Sequence, residues 1–443
     1  MIVSMKIKLK ILPFIVLIAG CFILNSISVK TLYDEIMFAT GKVFDLENEV
    51  IKENKRAKEA NDEYRRLLEA EEPDFTVKIQ EASEDGNEKL SLYAIAALLM
   101  DASNNRVLYE ENGEKKLPMA STTKIMTCIV TLENANLDDI VTVSSYAASM
   151  PDVQLNIRKG ERYYLRDLLY SLMLESHNDV AVAIAEHVGG SVEGFAVMMN
   201  DKAKELGCLN TNFVTPSGLD AEGHYTTAKD LATIASYAIK NDTFINITNT
   251  ASHTFSEITT GRRFTVTNKN KFLYMMDGAI GVKTGFTNGA GYCFVGAVKK
   301  PDRLLVSVVL GSGWPPHKNN RWHDTKELMN YGIKNFQLKS IFEKRQFEPV
   351  FVQDGQSRYE QLVMKNDNNL TMLIGKHETV KVEYDLPKKL LAPVKAGTVV
   401  GTAKYYINNI PYKEFPIYTV SDIKKIDFPF CFREIFKLWC GQY

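Results

Sequence analysis

At 443 residues the chain is long enough for two or three domains, and its 45% apolar content suffices for a sizeable core. With 53 basic against 54 acidic residues and a formal net charge of -1, it lacks the charge imbalance of a nucleic-acid binder, so that class of partner is set aside. The 6 cysteines, Cys21, Cys128, Cys208, Cys293, Cys431 and Cys440, form no Cys-x-x-Cys and no Cys/His cluster of metal-ligand spacing. No metal, cofactor or disulfide framework is expected, and Cys128 and Cys293, set in apolar stretches, read as small buried hydrophobes.

Lys6, Lys8 and Lys10 precede an apolar run from Ile11 to about Val29, long enough to cross a bilayer. Residues 1–30 are therefore expected to be a signal peptide or membrane anchor, with the rest of the chain exported to the extracytoplasmic side. Ser26-Ile27-Ser28 offers a cleavage site, and Ile18-Ala19-Gly20-Cys21 has the look of a lipoprotein box. The apolar run continues through Leu24, which favours an ordinary signal or an uncleaved anchor over lipidation. Residues 31–90 read as a charged helical arm and linker: Phe44 to Glu72 is rich in Glu, Lys, Arg and Ala without Gly or Pro, and its apolar positions are too sparse for a coiled coil.

A central domain is expected over 91–338. Tyr93 to Met100 is apolar throughout, as a buried strand would be, and Asn104-Asn105 turns it back into Arg106 to Glu110. Pro118-Met119-Ala120-Ser121 signals a helix start. Leu165 to Glu186 is helical by pattern, broken at Ser176-His177-Asn178, and Tyr292 to Val298 and Leu304 to Leu310 form a hairpin around Pro301-Asp302. From about Phe347 the pattern becomes short alternating strands, giving a small all-β domain over 345–425 that reads as a β-sandwich. The segment 427–443 places Phe432, Ile435, Phe436 and Trp439 on one helical face, which suits a membrane surface or packing on its own domain.

Three strings carry chemistry: Ser121-Thr122-Thr123-Lys124, Ser176-His177-Asn178 and Lys283-Thr284-Gly285. A serine hydroxyl is a poor nucleophile until a base takes its proton, and a lysine three residues on along a helix lies over it. That lysine acts as a base only when neutral, which calls for burial or a second cation nearby, a role Lys283 can fill. The helix start turns backbone N–H groups toward Ser121, where a tetrahedral oxyanion would form. In an extended loop Ser176 and Asn178 would point together toward the nucleophile to relay a proton and hold a substrate amide, with His177 facing away. Lys283 and Thr284 suit a substrate carboxylate, and Gly285 admits an extended ligand close to the strand.

In order and context these strings resemble those of the D-alanyl-D-alanine carboxypeptidases, low-molecular-mass penicillin-binding proteins of the bacterial cell envelope. The likeness runs from Tyr93 to about Phe336, through Arg166 to Tyr170, Pro216-Ser217-Gly218-Leu219, Thr226 to Ala232 and Gly281 to Thr287. It continues less sharply into Leu391 to Gly397. It implies an α/β transpeptidase/β-lactamase-like catalytic domain, a sheet flanked by helices, followed by the small all-β domain. It implies too that Ser121 attacks the penultimate D-alanyl carbonyl of a peptidoglycan stem peptide, that D-alanine leaves, and that water releases the acyl-enzyme. By the same match, the N–H groups of Ser121 and Phe286 would form the oxyanion hole, Arg321 would grip the substrate carboxylate, and β-lactam antibiotics would inhibit. The chain departs from the family in having Thr215-Pro216-Ser217-Gly218-Leu219 where Asn-Pro-His/Ser-Gly-Leu is common, and in its long N-terminal arm.

Two other readings compete. A β-lactamase would need a carboxylate to activate the deacylating water, and around Val214 to Glu222 only Asp220 and Glu222 offer one, without a Glu-x-x-Leu-Asn pattern. A catalytically silent peptidoglycan-binding protein would keep the fold, yet here every chemically required residue is present.

Overall fold

The computed structural model describes residues 76–77, 89–364 and 370–440. The expected leader or anchor, the context of Cys21 and nearly all of the charged arm fall outside them. The described residues divide into two compact units, one holding 89–340 with 370–377, the other 76–77, 341–364 and 378–440.

The first unit is built on a five-stranded antiparallel sheet. Its strands are β1 (Ala96–Asp101), β2 (Arg106–Glu111), β3 (Ala279–Thr287), β4 (Gly291–Lys300) and β5 (Arg303–Leu310), in the order β2-β1-β5-β4-β3. The unbroken apolar run of β1 has a physical cause. Ala96, Leu98 and Met100 enter one core and Ala97 and Leu99 the other, because both faces of the sheet are covered. Tyr93, expected within this strand, lies before it and is 59% exposed.

The larger core gathers helices α1 (Lys124–Asn134), α2 (Leu165–Leu174), α3 (Asn178–Gly189), α4 (Val192–Glu205), α5 (Ala228–Ala238) and α6 (Asp242–Thr248). On the opposite face α7 (Asn320–Asn335) packs Trp322, Leu328 and Met329 against the sheet. Helix α1 is buried at every position from Lys124 to Thr131, which marks it as the interior helix of the unit. The expected break between two helices falls at residues 175–177, between α2 and α3. Cys128 and Cys293 are fully buried, as their context suggested.

The second unit is all-β up to its last helix. The strands Val380–Asp385, Val399–Ile407, Ile410–Thr419 and Leu362–Met364 form one sheet with Thr76–Val77, and Tyr359–Glu360, Val350–Gln353 and Leu390–Leu391 form another. Asn408 and Asn409 both take left-handed φ values, 51° and 63°, at the two-residue turn between the longest strands. Within the span 345–425, residues 370–377 lie with the first unit, where Thr371–Gly375 pairs with Phe336–Ser340.

Helix α8 (Phe428–Trp439) closes the described chain and is capped by the Asp427 carboxylate, which accepts from Phe430 N at 2.9 Å. Among its residues only Cys431 is buried; Phe432, Phe436, Leu438 and Trp439 are exposed. No single described helix is long and apolar enough to cross a membrane.

Candidate active site

Ser121 sits in a 3-10 turn, Ala120–Thr123, that runs directly into α1. In a 3-10 turn residues i and i+3 eclipse, a tighter superposition than the α-helical spacing expected from sequence, and Lys124 Nζ lies 3.0 Å from Ser121 Oγ. The same nitrogen is 2.8 Å from Asn178 Oδ1 and 2.5 Å from the Ser217 carbonyl oxygen. Complete burial and then the nearby Lys283 cation hold Lys124 well below the ordinary lysine range, outweighing the opposite pull of Asp179. A neutral amine carries two N–H groups and one lone pair. Asn178 Oδ1 and Ser217 O take the two donors, which turns the lone pair to the Ser121 hydroxyl.

Asn178 reaches the site through its contact with Lys124, and the 176–178 segment that carries it is not an extended loop. Ser176 has φ 71°, in the left-handed region, and Asn178 is the first residue of α3. Ser176 Oγ is buried without a hydrogen-bond partner among the described residues. Asn178 is anchored by its N–H to Val153 O at 2.8 Å. His177 faces away, as expected, with Nδ1 2.7 Å from Ser171 Oγ.

The adjoining Asp179 is a residue that sequence reasoning missed. Its buried carboxylate accepts from the N–H groups of Leu155, Ile157 and Val180, at 3.0, 3.1 and 2.9 Å, and so fixes the 151–157 loop against the start of α3.

Strand β3 is an outer strand of the sheet and brings the third string beside the turn. A Cβ at Gly285 would stand 3.1 Å from Ser121 N and 3.2 Å from Met119 O, so only glycine leaves the strand and the serine turn in comfortable contact. Lys283 is buried and donates to Thr284 O at 3.1 Å; burial, then the charge of Arg321, lowers its pKa to about 7. Phe286 is 37% exposed, its ring 4.6 Å from that of Tyr292. Arg321, at the start of α7, lies over the rings of Tyr292 and Trp322, at 4.9 Å from each, with Nη1 3.5 Å from Gly285 O. Its Nε is buried without a partner among the described residues. The site residues singled out in the sequence thus all lie on the serine turn or the first residue of α1, at the start of α3 or in its preceding loop, or along β3 and the start of α7.

The loop 214–224, which the sequence marked as part of the family likeness, has a role that the sequence did not reveal: it orients the lysine amine. Besides the Ser217 carbonyl, it supplies Pro216 O, which accepts from Thr127 Oγ1 at 2.7 Å. At Gly218, φ is 83° and an added Cβ would collide with the Ala120 carbonyl. Asp220 accepts from Thr287 Oγ1 at 2.7 Å and Gly289 N at 3.2 Å, so its carboxylate is engaged with the end of β3. Glu222 is exposed. Among the described residues no three His, Cys, Asp or Glu side chains converge as a metal site would require.

The fold and the serine–lysine pair define a transpeptidase/β-lactamase-type hydrolase. A profile for D-alanyl-D-alanine carboxypeptidase matches residues 81–313, and one for the penicillin-binding protein 5 C-terminal domain matches 336–425. Among curated relatives, D-alanyl-D-alanine carboxypeptidase DacF of Bacillus subtilis is 31% identical over 78% of this chain and 90% of its own length. DacC of Escherichia coli is 32% identical, over 78% and 88% respectively. Among solved structures, penicillin-binding protein 5 from Haemophilus influenzae aligns with a TM-score of 0.62 at 26% identity, covering 77% of this chain and all (100%) of that one. The Streptomyces K15 DD-transpeptidase aligns with a TM-score of 0.53 at 34% identity, covering 56% of this chain and 100% of its own. The chain belongs to the D-alanyl-D-alanine carboxypeptidase family and is a serine-type hydrolase.

Proposed function

We infer that the protein removes the terminal D-alanine from peptidoglycan stem pentapeptides through an acyl-enzyme on Ser121, and that penicillins trap it at that stage. The observation that carries this reading is the placement of Lys124 Nζ between Ser121 Oγ, Asn178 Oδ1 and Ser217 O. As Ser121 Oγ attacks the penultimate D-alanyl carbonyl, its proton passes to Lys124. The carbonyl oxygen becomes an oxyanion facing the N–H groups of Ser121 and Phe286. Collapse of the tetrahedral species breaks the peptide bond, and the leaving amine of D-alanine takes a proton from Lys124 by way of Ser176 Oγ. Lys283, Thr284 and Arg321 bind the substrate's terminal carboxylate. Water then attacks the ester, gives its proton to the same relay, and frees Ser121.

A β-lactamase is disfavoured because, of the two carboxylates in the 214–222 loop, Asp220 is engaged by Thr287 and Gly289 and Glu222 is exposed. A silent binding protein is disfavoured because the buried lysine is already arranged as a neutral base. The test is to incubate the chain lacking residues 1–30 with a stem pentapeptide and separately with a penicillin. Release of D-alanine and a long-lived one-to-one adduct on the peptide containing Ser121 are expected. A folded protein that does neither would overturn the assignment, and rapid turnover of the penicillin would favour the β-lactamase.

The same reading places residues 1–30 as the export signal or anchor, 31–90 as a spacer, 91–338 as the catalytic domain, 345–425 as the β domain and 427–443 as a membrane-surface helix. Support for the last is the row of rings Phe428, Phe432, Phe436 and Trp439, successive centroids 6.2, 6.4 and 5.7 Å apart. In a chain starting at residue 31, Phe432→Glu with Phe436→Glu is expected to weaken vesicle binding about 10- to 100-fold, the value of one or two buried rings. Unchanged co-sedimentation with anionic vesicles would refute this role.

A further inference from the structure

The nucleophile and its base are held from outside by a histidine. His224 is 6% exposed, and its Nδ1 accepts from the backbone N–H groups of Val214 and Thr215, at 3.0 and 3.4 Å. Because Nδ1 accepts, the ring is neutral with its proton on Nε2, which donates to Thr123 Oγ1 at 2.9 Å. Thr123 Oγ1 then has its own proton free for the Ala120 carbonyl, 2.8 Å away. Ala120 is the residue before Ser121 and has φ 48°, a left-handed conformation that an alanine holds only when its surroundings fix it. Every donor in this chain meets one acceptor, and only this tautomer closes it.

The two ends of the histidine grip different halves of the site. Nε2 grips the turn that presents Ser121. Nδ1 grips the loop whose next residues deliver Pro216 O to Thr127 and Ser217 O to Lys124. Gly218 of that loop packs directly on the Ala120 carbonyl, so the two halves also touch.

We propose that His224 is a positioning residue for acylation: it locks the distance between Ser121 and Lys124 by joining the serine turn to the loop that orients the lysine amine. This rests on the reading of Ser121 and Lys124 as nucleophile and base. The hydrogen bonds of the His224 ring go to Thr123, Val214 and Thr215 and not to Ser121 or Lys124; it acts through Thr123 and the Ser217 carbonyl. Burial keeps the ring neutral, with a pKa lowered to about 4, so the lock holds at any pH well above that value.

The test uses His224→Asn, which retains an acceptor near Nδ1 but loses the reach to Thr123, together with Thr123→Val and Thr123→Ser. Active sites are first counted by the final amount of penicillin adduct, and the acylation rate per competent site is then followed against pH. The His224→Asn and Thr123→Val proteins would each acylate to full stoichiometry but about 10- to 100-fold more slowly, as expected when a reacting pair is misplaced by a fraction of an ångström to one ångström. The ascending limb of the pH profile would move upward as water regains access to Lys124, Thr123→Ser would restore the wild-type rate, and the double substitution would cost no more than the larger single one.

A merely structural histidine gives another pattern. The count of active sites would fall while the survivors acylate at the wild-type rate with an unmoved pH limb, and that outcome overturns the proposal. Should His224→Asn not fold, Thr123→Val decides alone: a normal rate and limb there overturn it equally. A wild-type protein that forms no adduct at all refutes the underlying assignment of Ser121 instead, so the two failures are told apart.

Discussion

Ser121→Ala is expected to abolish the penicillin adduct and to lower D-alanine release by roughly 10^4- to 10^6-fold, the range seen when an enzyme loses its covalent nucleophile. Intact-mass measurement after incubation with a penicillin checks the first, and release of D-alanine from a pentapeptide checks the second. The substitution is well suited to the purpose because it removes little else. Ser121 is half-buried, and the hydrogen bond its side chain makes is the one to Lys124 Nζ. Lys124 retains Asn178 Oδ1 and Ser217 O, so folding and thermal stability should stay near those of the wild type. Combining Ser121→Ala with Lys124→Met should cost no more than Ser121→Ala alone, since the two act as a unit. An adduct that persists on another residue would sink the assignment.

The ease with which the catalytic strings could be read follows from where their information lies. A serine and a lysine three residues apart share a helical face whatever the rest of the chain does, and a Lys-Thr-Gly on a strand carries its own backbone logic. The continuous apolar run before Asp101 encodes a strand covered on both faces, and the polar break at Ser176-His177-Asn178 encodes the gap between α2 and α3. What stayed hidden depends on contacts between distant segments. Ser217 O meets Lys124 across 93 residues and His224 meets Thr123 across 101, and no local pattern announces either.

The left-handed φ of Ser176 was equally illegible, because an extended reading puts Ser176 and Asn178 on one side by alternation alone. The structure instead makes this segment a sharp turn at Ser176 followed by a helix start at Asn178. Asp179 was overlooked for a related reason: an acidic residue in the first turn of a helix is commonplace, and only the fold shows that its carboxylate collects three backbone N–H groups.

Lys124→Met carries the second large expectation. Methionine approximates the length of the lysine stem but cannot take a proton, so acylation by penicillin should fall by about 10^2- to 10^4-fold, the usual worth of a positioned general base. The pH profile separates loss of the base from loss of shape. In the wild type the rate rises as Lys124 loses its proton, at a pH well below the ordinary lysine range because burial and the Lys283 charge favour the neutral amine. It falls again as Lys283, with its pKa lowered to about 7, loses the charge that binds the substrate carboxylate. The free enzyme should therefore give a bell-shaped dependence of acylation efficiency, its two apparent pKa values belonging to the coupled lysines together. Lys124→Met should erase the ascending limb and keep the descending one; Lys283→Gln should erase the descending limb and move the ascending one to higher pH, because the charge that helps keep Lys124 neutral is gone. If Lys124→Met slows acylation but leaves the ascending limb in place, the proton acceptor is some other group, and the neutral-lysine mechanism fails even though Ser121 remains the nucleophile.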